Sequence, residues 1–224
     1  MIPFVNLHSH HFTQSEQEIG LYNLLFTEID LLKEQQGYYS LGIHPWFYQT
    51  ETKQVELQLM RDLLSHPSSK AIGECGLDRT IAVPITEQER VFESQLYLAQ
   101  EAQKPVIIHC VKAFPELILL KKRLKISIPM IVHGYNNNLT IAGQLLQNGF
   151  YLSFGAALLS PTSNACKVLK QMPSEQLFLE TDNRAMSIST IFAAASALFN
   201  VSMDDLKQQC YRNFEAIFMT NIHS

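Results

Sequence analysis

The sequence lacks the cysteine spacing of a disulfide-bonded secreted domain. Its four cysteines, Cys75, Cys110, Cys166 and Cys210, are scattered over 224 residues, and no C-x-x-C pair occurs. Disulfide frameworks need cysteines at framework spacings, and redox motifs need them in close pairs. We therefore expect a reduced, intracellular protein.

Long apolar runs and an excess of basic residues are also missing. The longest apolar stretches are shorter than a membrane span, and a histidine cluster interrupts any signal-peptide core near the N-terminus. The formal net charge is −4, whereas many nucleic-acid-binding domains are basic overall. These absences predict a cytoplasmic protein with no membrane segment and no evident obligate protein partner.

Short apolar segments alternate with helical patterns along the whole chain, without a linker or repeat that would divide residues 1–224 into domains. Candidate strands that are apolar on both faces occupy 2–8, 20–26, 38–44, 71–77, 105–110, 130–135, 150–155 and 177–182. Candidate helices cover 51–65, 86–103, 112–124, 138–148, 162–171 and two segments near the C-terminus. The alternation predicts an α/β fold, a distorted (β/α)8 TIM barrel. Only about a dozen residues separate the first two strands, so a doubly wound sheet of six or seven strands is the alternative.

Side chains of the types that bind metals interrupt these strands near their carboxyl ends. They are His8, His10, His44, Glu74, His109, His133 and Asp182. In a barrel the carboxyl ends of all strands share one face, so these groups are expected to converge. The i, i+2 spacing turns His8 and His10 to the same side of the first strand, whereas His11 points away or lies in the loop.

Four imidazoles (His8, His10, His109 and His133) and two carboxylates exceed the needs of one tetrahedral zinc ion and suit two divalent metal ions with open positions. Glu74 can bridge the ions, and Asp182 can bind one and accept a proton from the attacking water. A single histidine at a strand end is commonly a hydrogen-bonded core residue. Such placement at six positions favours a hydrolytic metal site.

Six stretches resemble the TatD-like metal-dependent deoxyribonuclease family, itself similar to amidohydrolase-type barrels. They are V-N-L-H-S-H, L-G-I-H-P-W, A-I-G-E-C-G-L-D, P-V-I-I-H-C, I-V-H-G-Y and L-F-L-E-T-D, in family order between residues 5 and 182. The resemblance implies one metal held by His8, His10, Glu74 and Asp182, with Glu74 shared with a second metal bound by His109 and His133. It also implies that His44 faces the substrate phosphate.

The resemblance further implies hydrolysis of phosphodiester bonds, mostly in DNA and often from a 3′ end, with magnesium, manganese or zinc. Asp182, Glu74 and His44 are the expected catalytic residues, with metal-bound water attacking phosphorus. Arg79, Lys112 and Arg184 follow candidate ligands closely and are expected to contact the phosphate together with His44. Trp46 and Phe47 could stack on a base, although packing against a neighbouring loop is the favoured interpretation.

Three departures from the family leave the substrate open. Asn6 stands where the family usually has aspartate, the Pro- and Arg-rich loop after Asp182 is missing, and His133 precedes G-Y-N-N. The substrate is therefore DNA or a small phosphodiester. Two alternatives remain: a hydrolase of lactones or amides on the same fold, and a metal-binding protein without catalysis.

Other conspicuous residues are expected to lie outside the site. The basic run at 121–125 (K-K-R-L-K) is interpreted as a solvated helix end on the opposite face of the barrel. Strand alternation is expected to turn Cys75 and Cys110 towards the helices. His66 and His223 do not belong to the cluster.

Overall fold

A computed structural model describes residues 2–12, 15–33, 37–48 and 53–219. Eight parallel strands form one sheet in which each strand pairs with the next in the sequence. They are β1 (Phe4–Ser9), β2 (Glu18–Leu24), β3 (Tyr38–Leu41), β4 (Ser69–Asp78), β5 (Val106–Val111), β6 (Met130–Val132), β7 (Phe150–Phe154) and β8 (Leu177–Leu179). All eight candidate strands are confirmed, with ends that differ by a few residues.

Helices connect the strands after the third one, and two further helices follow β8. They are α1 (Lys53–Leu64), α2 (Ile85–Glu101), α3 (Phe114–Arg123), α4 (Leu139–Gln147), α5 (Asn164–Leu169), α6 (Ile188–Phe199) and α7 (Met203–Phe214). The described residues between β1 and β2 contain no helix, and β2 is followed by a 3-10 helix at Phe26–Lys33. The short first crossover is thus a distortion of the barrel.

The barrel closes where β1 meets the residues that follow β8. The Asp182 amide donates to the His8 carbonyl at 3.0 Å, and the His10 amide donates to the Asp182 carbonyl at 3.0 Å. These bonds form a parallel bridge between Ser9 and Asp182. Because all eight strands pair and the first meets the last, the distorted (β/α)8 barrel is confirmed and the doubly wound sheet is excluded.

Two buried glutamines of α2 fix the strand ends that lead into the candidate site. The Gln95 side chain accepts from the Ile43 amide at 2.7 Å, and Gln88 accepts from the Asp78 amide at 2.7 Å. Ile43 lies just beyond β3 and Asp78 is the last residue of β4, and a buried amide without a partner there would be destabilising. The pairs therefore hold the ends of β3 and β4 in place. No helix over the described residues is both long and apolar enough to cross a bilayer.

Candidate metal centre

Glu74 of β4 lies at the centre of five imidazoles and is only 6% exposed. Its Oε1 lies 3.0 Å from His44 Nε2, 3.1 Å from His109 Nδ1 and 2.8 Å from His133 Nε2. Its Oε2 lies 3.4 Å from His8 Nε2 and 3.7 Å from His10 Nε2. The carboxyl ends of five strands or of their following loops thus bring the predicted ligands together.

Asp182 lies on the other side of the β1 histidines. Its Oδ1 is 3.7 Å from His8 Nε2 and 3.5 Å from His10 Nε2. Its backbone has a φ of 53°, a left-handed conformation that aspartate tolerates better than most residues. The side chain is 39% exposed, so this carboxylate can reach both the histidines and bound solvent or substrate.

Three sets of side chains have ligand atoms close enough together to hold a metal ion. They are His8, His10 and Asp182; His8, Glu74 and His133; and His44, Glu74 and His109. His8 supplies a direct test of the fit, because it is fully buried and neither of its ring nitrogens has a hydrogen-bond partner. A buried polar group without a partner is destabilising, and a metal ion would satisfy it. The donor set therefore fits divalent cations.

The charges of the centre favour an ionised Glu74. Its burial would raise the pKa, but the His133 charge and hydrogen bonds from His10, His109 and His133 hold it well below the ordinary value. Burial would lower the pKa of His133, yet the charge of Glu74 and the hydrogen bond to Glu180 raise it well above the ordinary value. Without a metal ion, His133 therefore supplies positive charge beside the Glu74 carboxylate.

His44 has a different protonation state from His133. Burial is the largest influence and lowers the pKa of His44, despite its hydrogen bond to Glu74. Its Nδ1 accepts from the Trp46 amide at 3.1 Å, so the neutral ring carries its proton on Nε2 and donates it to Glu74. His44 is thus arranged as a hydrogen-bond donor, although its position beside Glu74 and His109 also fits a metal ligand.

Two carboxylates that sequence reasoning missed lie behind the candidate ligands. Asp78 Oδ2 is 3.1 Å from His109 Nε2, and Glu180 Oε1 is 3.4 Å from His133 Nδ1. Carboxylates in such positions orient metal-binding imidazoles and fix their tautomers. The i, i+2 spacing of Glu180 and Asp182 is the same signal that identified His8 and His10.

Asp78 is held as an anion. Burial would raise its pKa, but hydrogen bonds from Thr80, Trp46 and His109 lower it to about 2. An ionised Asp78 can only accept hydrogen bonds, so His109 carries a proton on Nε2, and a metal bound at Nδ1 would replace the hydrogen bond that Nδ1 gives to Glu74. The ring is thereby oriented for ligation through Nδ1.

Asn6 connects β1 to the segment that carries Asp182. Its Nδ2 donates to Glu18 Oε1 and to Thr181 Oγ1, both at 2.9 Å, and its Oδ1 accepts from the Thr181 amide at 2.9 Å. As expected for an amide, the side chain forms hydrogen bonds without adding charge. The buried Asn6 therefore holds the residue before Asp182 in place.

A cavity of about 740 Å³ opens over the centre. Besides the candidate ligands it is lined by Asn23, Leu25, Phe26, Thr27, Gly42, Ile43, Trp46, Phe47, Glu56, Cys110, Val111, Gly134 and Asn183. Lysine and arginine are absent from the described residues of this lining. A phosphate bound here would therefore meet imidazoles and carboxylates, and no lysine or arginine among the described lining residues.

The three expected basic phosphate contacts lie outside this cavity. The Arg79 guanidinium forms an ion pair with Glu116, and Lys112 and Arg184 are exposed beside the lining residues Val111 and Asn183. These residues are close in sequence to candidate ligands, but this did not place their side chains in the cavity lining. Their contact with substrate stays a prediction.

Two aromatic side chains and one cysteine differ from expectation. Trp46 and Phe47 line the cavity and stay 59% and 63% exposed, so the packing interpretation is wrong. Cys110 also lines the cavity, as do its neighbours His109 and Val111, so the expectation from strand alternation is wrong at the end of β5. Burial raises the pKa of the Cys110 thiol to about 12, which excludes a thiolate at neutral pH.

The remaining histidines and Cys75 agree with expectation where they are described. His11 is exposed and lies outside the cluster, as does His66 after α1. Cys75 is fully buried, and its Sγ lies near the Ile107 carbonyl at 3.8 Å. His223 lies outside the described residues.

Comparison with known sequences identifies a family. The model of the family described as TatD related DNase matches residues 24–219. The human 3′-5′ RNA nuclease TATDN2 is 34% identical over 159 residues, which cover 68% of this chain and 21% of that protein. The 3′-5′ ssDNA/RNA exonuclease TatD of Citrobacter koseri is 28% identical over 203 residues, covering 80% of this chain and 76% of that protein.

Other relatives show similar coverage. An uncharacterized metal-dependent hydrolase of Haemophilus influenzae is 29% identical over 201 residues, covering 80% of this chain and 76% of that protein. The crystal structure of YjjV, a TatD homologue from Escherichia coli, superposes with a TM-score of 0.84 at 22% identity, covering 98% of this chain and 100% of that one. The chain spans about a fifth of the human relative and three quarters of these bacterial proteins. The structural match confirms the barrel fold.

Proposed function

The chain belongs to the TatD-related DNase family, and we propose that it hydrolyses phosphodiester bonds of nucleic acid in a metal-dependent reaction that releases nucleotides from a 3′ end. The observation that carries the proposal is the ionised, buried Glu74 surrounded by five imidazoles beneath an open cavity. The names of the relatives, a metal-dependent hydrolase and 3′-5′ nucleases, support the same reaction class.

Six residues would hold two divalent ions. His8, His10 and Asp182 would hold one ion, and His109 and His133, which both lie beside Glu74 Oε1, would hold the other, with Glu74 shared between the ions. Divalent ions bound there would supply Lewis-acid activation of water and charge neutralisation of the phosphate. Imidazole and carboxylate donors suit zinc and manganese well, whereas magnesium prefers an all-oxygen environment.

The chain's own groups then have separate tasks. The half-exposed Asp182 carboxylate is placed to accept a proton from the attacking water. The neutral His44 can turn its Nε2 proton from Glu74 towards a phosphate oxygen, since this ring lines the cavity. Lys112 and Arg184, exposed beside the cavity lining, are proposed to contact phosphates farther along a strand. Arg79 would first have to leave its ion pair with Glu116.

A small phosphodiester is the second candidate substrate. It is favoured by one specific observation, the absence of lysine and arginine among the described residues that line the cavity. A polyanionic strand would need neutralising contacts along its backbone, and nucleic-acid affinity depends strongly on such contacts. A single phosphodiester needs only the charge at the metal centre.

The test is release of nucleotides from a 3′-labelled single-stranded DNA oligonucleotide, with magnesium, manganese or zinc added in separate reactions. We expect shortening that disappears with EDTA and falls by about 10²- to 10⁴-fold in Asp182→Asn. Glu74→Ala should lose activity and bound metal while keeping the circular dichroism spectrum of a folded barrel. His66→Ala, which removes an exposed histidine outside the centre, is the matched control and should stay active.

Three outcomes would decide against the proposal or a part of it. Full activity in both Glu74→Ala and Asp182→Asn would overturn the proposed site. Metal-loaded protein that leaves the oligonucleotide intact but cleaves bis(p-nitrophenyl) phosphate would assign a small phosphodiester as substrate. Metal binding without hydrolysis of either substrate would contradict the proposed reaction.

A further inference from the structure

We propose that Trp46 and Phe47 form an aromatic platform that holds an unstacked nucleobase beside the centre, so that the cavity selects base-bearing single-stranded ends. This inference rests on the proposed function and adds a substrate-binding subsite to it. The platform follows β3 in the chain, and both residues line the cavity that contains His44 and Glu74.

The exposure of the two rings is the first observation. Trp46 and Phe47 are 59% and 63% exposed, although each ring contacts His44. The centroid of the His44 ring lies 5.0 Å from that of Trp46 and 5.6 Å from that of Phe47. Two adjacent large apolar side chains at the surface of a cavity mark a binding surface better than an isolated one does. Their position places a bound ring next to the reacting phosphate.

Hydrogen bonds hold the Trp46 ring and the backbone of both platform residues. The Trp46 indole nitrogen donates to Asp78 Oδ2 at 2.7 Å, and the Trp46 and Phe47 amides donate to His44 Nδ1 at 3.1 Å and to the His44 carbonyl at 3.0 Å. Asp78 is buried, so this hydrogen bond is shielded from water and restrains the indole ring. A side chain fixed before binding loses little conformational entropy when a ligand arrives.

The rest of the lining favours a base over additional phosphates. Leu25, Phe26 and Ile43 contribute apolar side chains to the same cavity, and Glu56 contributes a carboxylate, so the lining suits an uncharged ring better than further phosphates. Stacking of a base on an aromatic side chain contributes about 1–3 kcal/mol and is tolerant of base identity. A base within a duplex is already stacked and paired, so it must first be freed before it can reach the platform. The cavity should therefore prefer single-stranded ends of any base composition.

The first experiment compares two single-stranded oligonucleotides that differ only at the 3′ end, where one has thymidine and the other a tetrahydrofuran abasic residue. We expect kcat/KM to favour the base-bearing end by about 5- to 100-fold. Trp46→Ala and Phe47→Ala should each reduce this preference several-fold. Tyr97→Ala, which removes another exposed aromatic side chain far along α2, should keep the preference. Because a preference is a ratio, a general effect of Trp46 on the centre through Asp78 cancels.

Equal kcat/KM values for the two ends in the wild-type protein would overturn the platform and leave the proposed nuclease function intact. Failure to cleave either oligonucleotide would instead count against the nuclease function. In that case the platform is tested by a binding measurement that needs no turnover.

Trp46 is the single tryptophan of the chain, so its fluorescence reports on the platform alone. With magnesium present, we expect thymidine 5′-monophosphate to quench this emission, whereas 2-deoxyribose 5-phosphate at the same concentration leaves it unchanged. Phe47→Ala should need at least about five times more thymidine monophosphate for half-quenching, as expected for the loss of one stacking partner. Tyr97→Ala should titrate like the wild type. Equal effects of the nucleotide and the sugar phosphate, or no effect of either, would contradict base binding at this position.

Discussion

His109 presents Nε2 to Oδ2 of Asp78 at 3.1 Å while its Nδ1 lies 3.1 Å from Oε1 of Glu74. The His109 ring thus lies between two carboxylates. Asp78 orients the ring, and Glu74 would bind the same metal ion as His109. The same Asp78 oxygen accepts the Trp46 indole proton. Orientation of a candidate ligand and orientation of the aromatic platform therefore depend on one buried anion.

Asp78→Asn should weaken metal binding by about 10- to 100-fold, because the amide no longer fixes the tautomer and orientation of His109. The measurement is a competition titration of zinc against a chromophoric chelator. Asp62→Asn, which changes an exposed aspartate of α1 that contacts Gln58, is the control. An unchanged zinc affinity in Asp78→Asn would show that Asp78 does not orient the ligand.

Asn6→Asp should lower the free energy of unfolding by about 1–3 kcal/mol. The aspartate cannot donate the two hydrogen bonds that Asn6 gives to Glu18 and Thr181, and it places a second carboxylate beside Glu18. Urea unfolding of the metal-free protein measures the change. Adding Glu18→Gln should recover part of the loss by removing the repulsion and restoring a donor. No recovery in the double variant would refute the repulsion.

Gly76→Ala should destabilise the protein by about 3 kcal/mol or more, since the added Cβ would overlap the His109 carbonyl oxygen and Gly76 has a φ of 145°. The close contact between β4 and β5 at this point brings Glu74 and His109 together. Gly143→Ala in α4, where nothing lies within 4 Å of the new Cβ, should stabilise by up to about 1 kcal/mol. Thermal unfolding of both variants tests these two predictions, and similar melting temperatures for the two variants would contradict them.

Lys121→Met should change how stability depends on pH. Lys121 Nζ contacts the Phe150 ring at 4.6 Å and donates to the Gly149 carbonyl, and burial lowers its pKa to about 8 from 10.5. Its position corrects the expectation that the basic run is simply solvated.

Between pH 8 and 10.5 the unfolded chain binds this proton more strongly than the folded protein does, so the contribution of Lys121 to stability rises with pH over that window. Relative to Lys121→Met, the wild type should gain about 2 kcal/mol by the upper end. Urea titrations of both proteins at several pH values give the difference. Parallel pH profiles for the two proteins would show that burial does not lower the pKa of Lys121.

The barrel and the convergence of ligand-type residues could be predicted from the sequence because both depend on local patterns. Apolar runs identify the strands, and the carboxyl ends of parallel strands share one face. The i, i+2 spacing correctly placed His8 and His10 on the same side of Glu74. No knowledge of distant contacts is needed for these inferences.

The surroundings of the centre could not be predicted because they depend on contacts between elements distant in sequence. Asp78 and Glu180 contact histidines 31 and 47 positions away. Arg79 is turned away by Glu116, which lies 37 positions along the chain. Trp46 is held outward by Asp78, whereas local sequence favoured packing against a loop. In each case the position of the side chain depends on a charged partner that only the folded barrel brings close.

The closure of the barrel between His8 and Asp182 also determines when the centre can exist during synthesis. Translation delivers the β1 histidines first, and the residue that completes their group follows β8, after most of the described chain. A nascent chain that has just formed β6 already contains Glu74, His109 and His133 but has no carboxylate at position 182. The unfinished polypeptide therefore lacks the group proposed to accept the proton from water. The complete set of candidate ligands is present only once Asp182 has been synthesised and the barrel has closed.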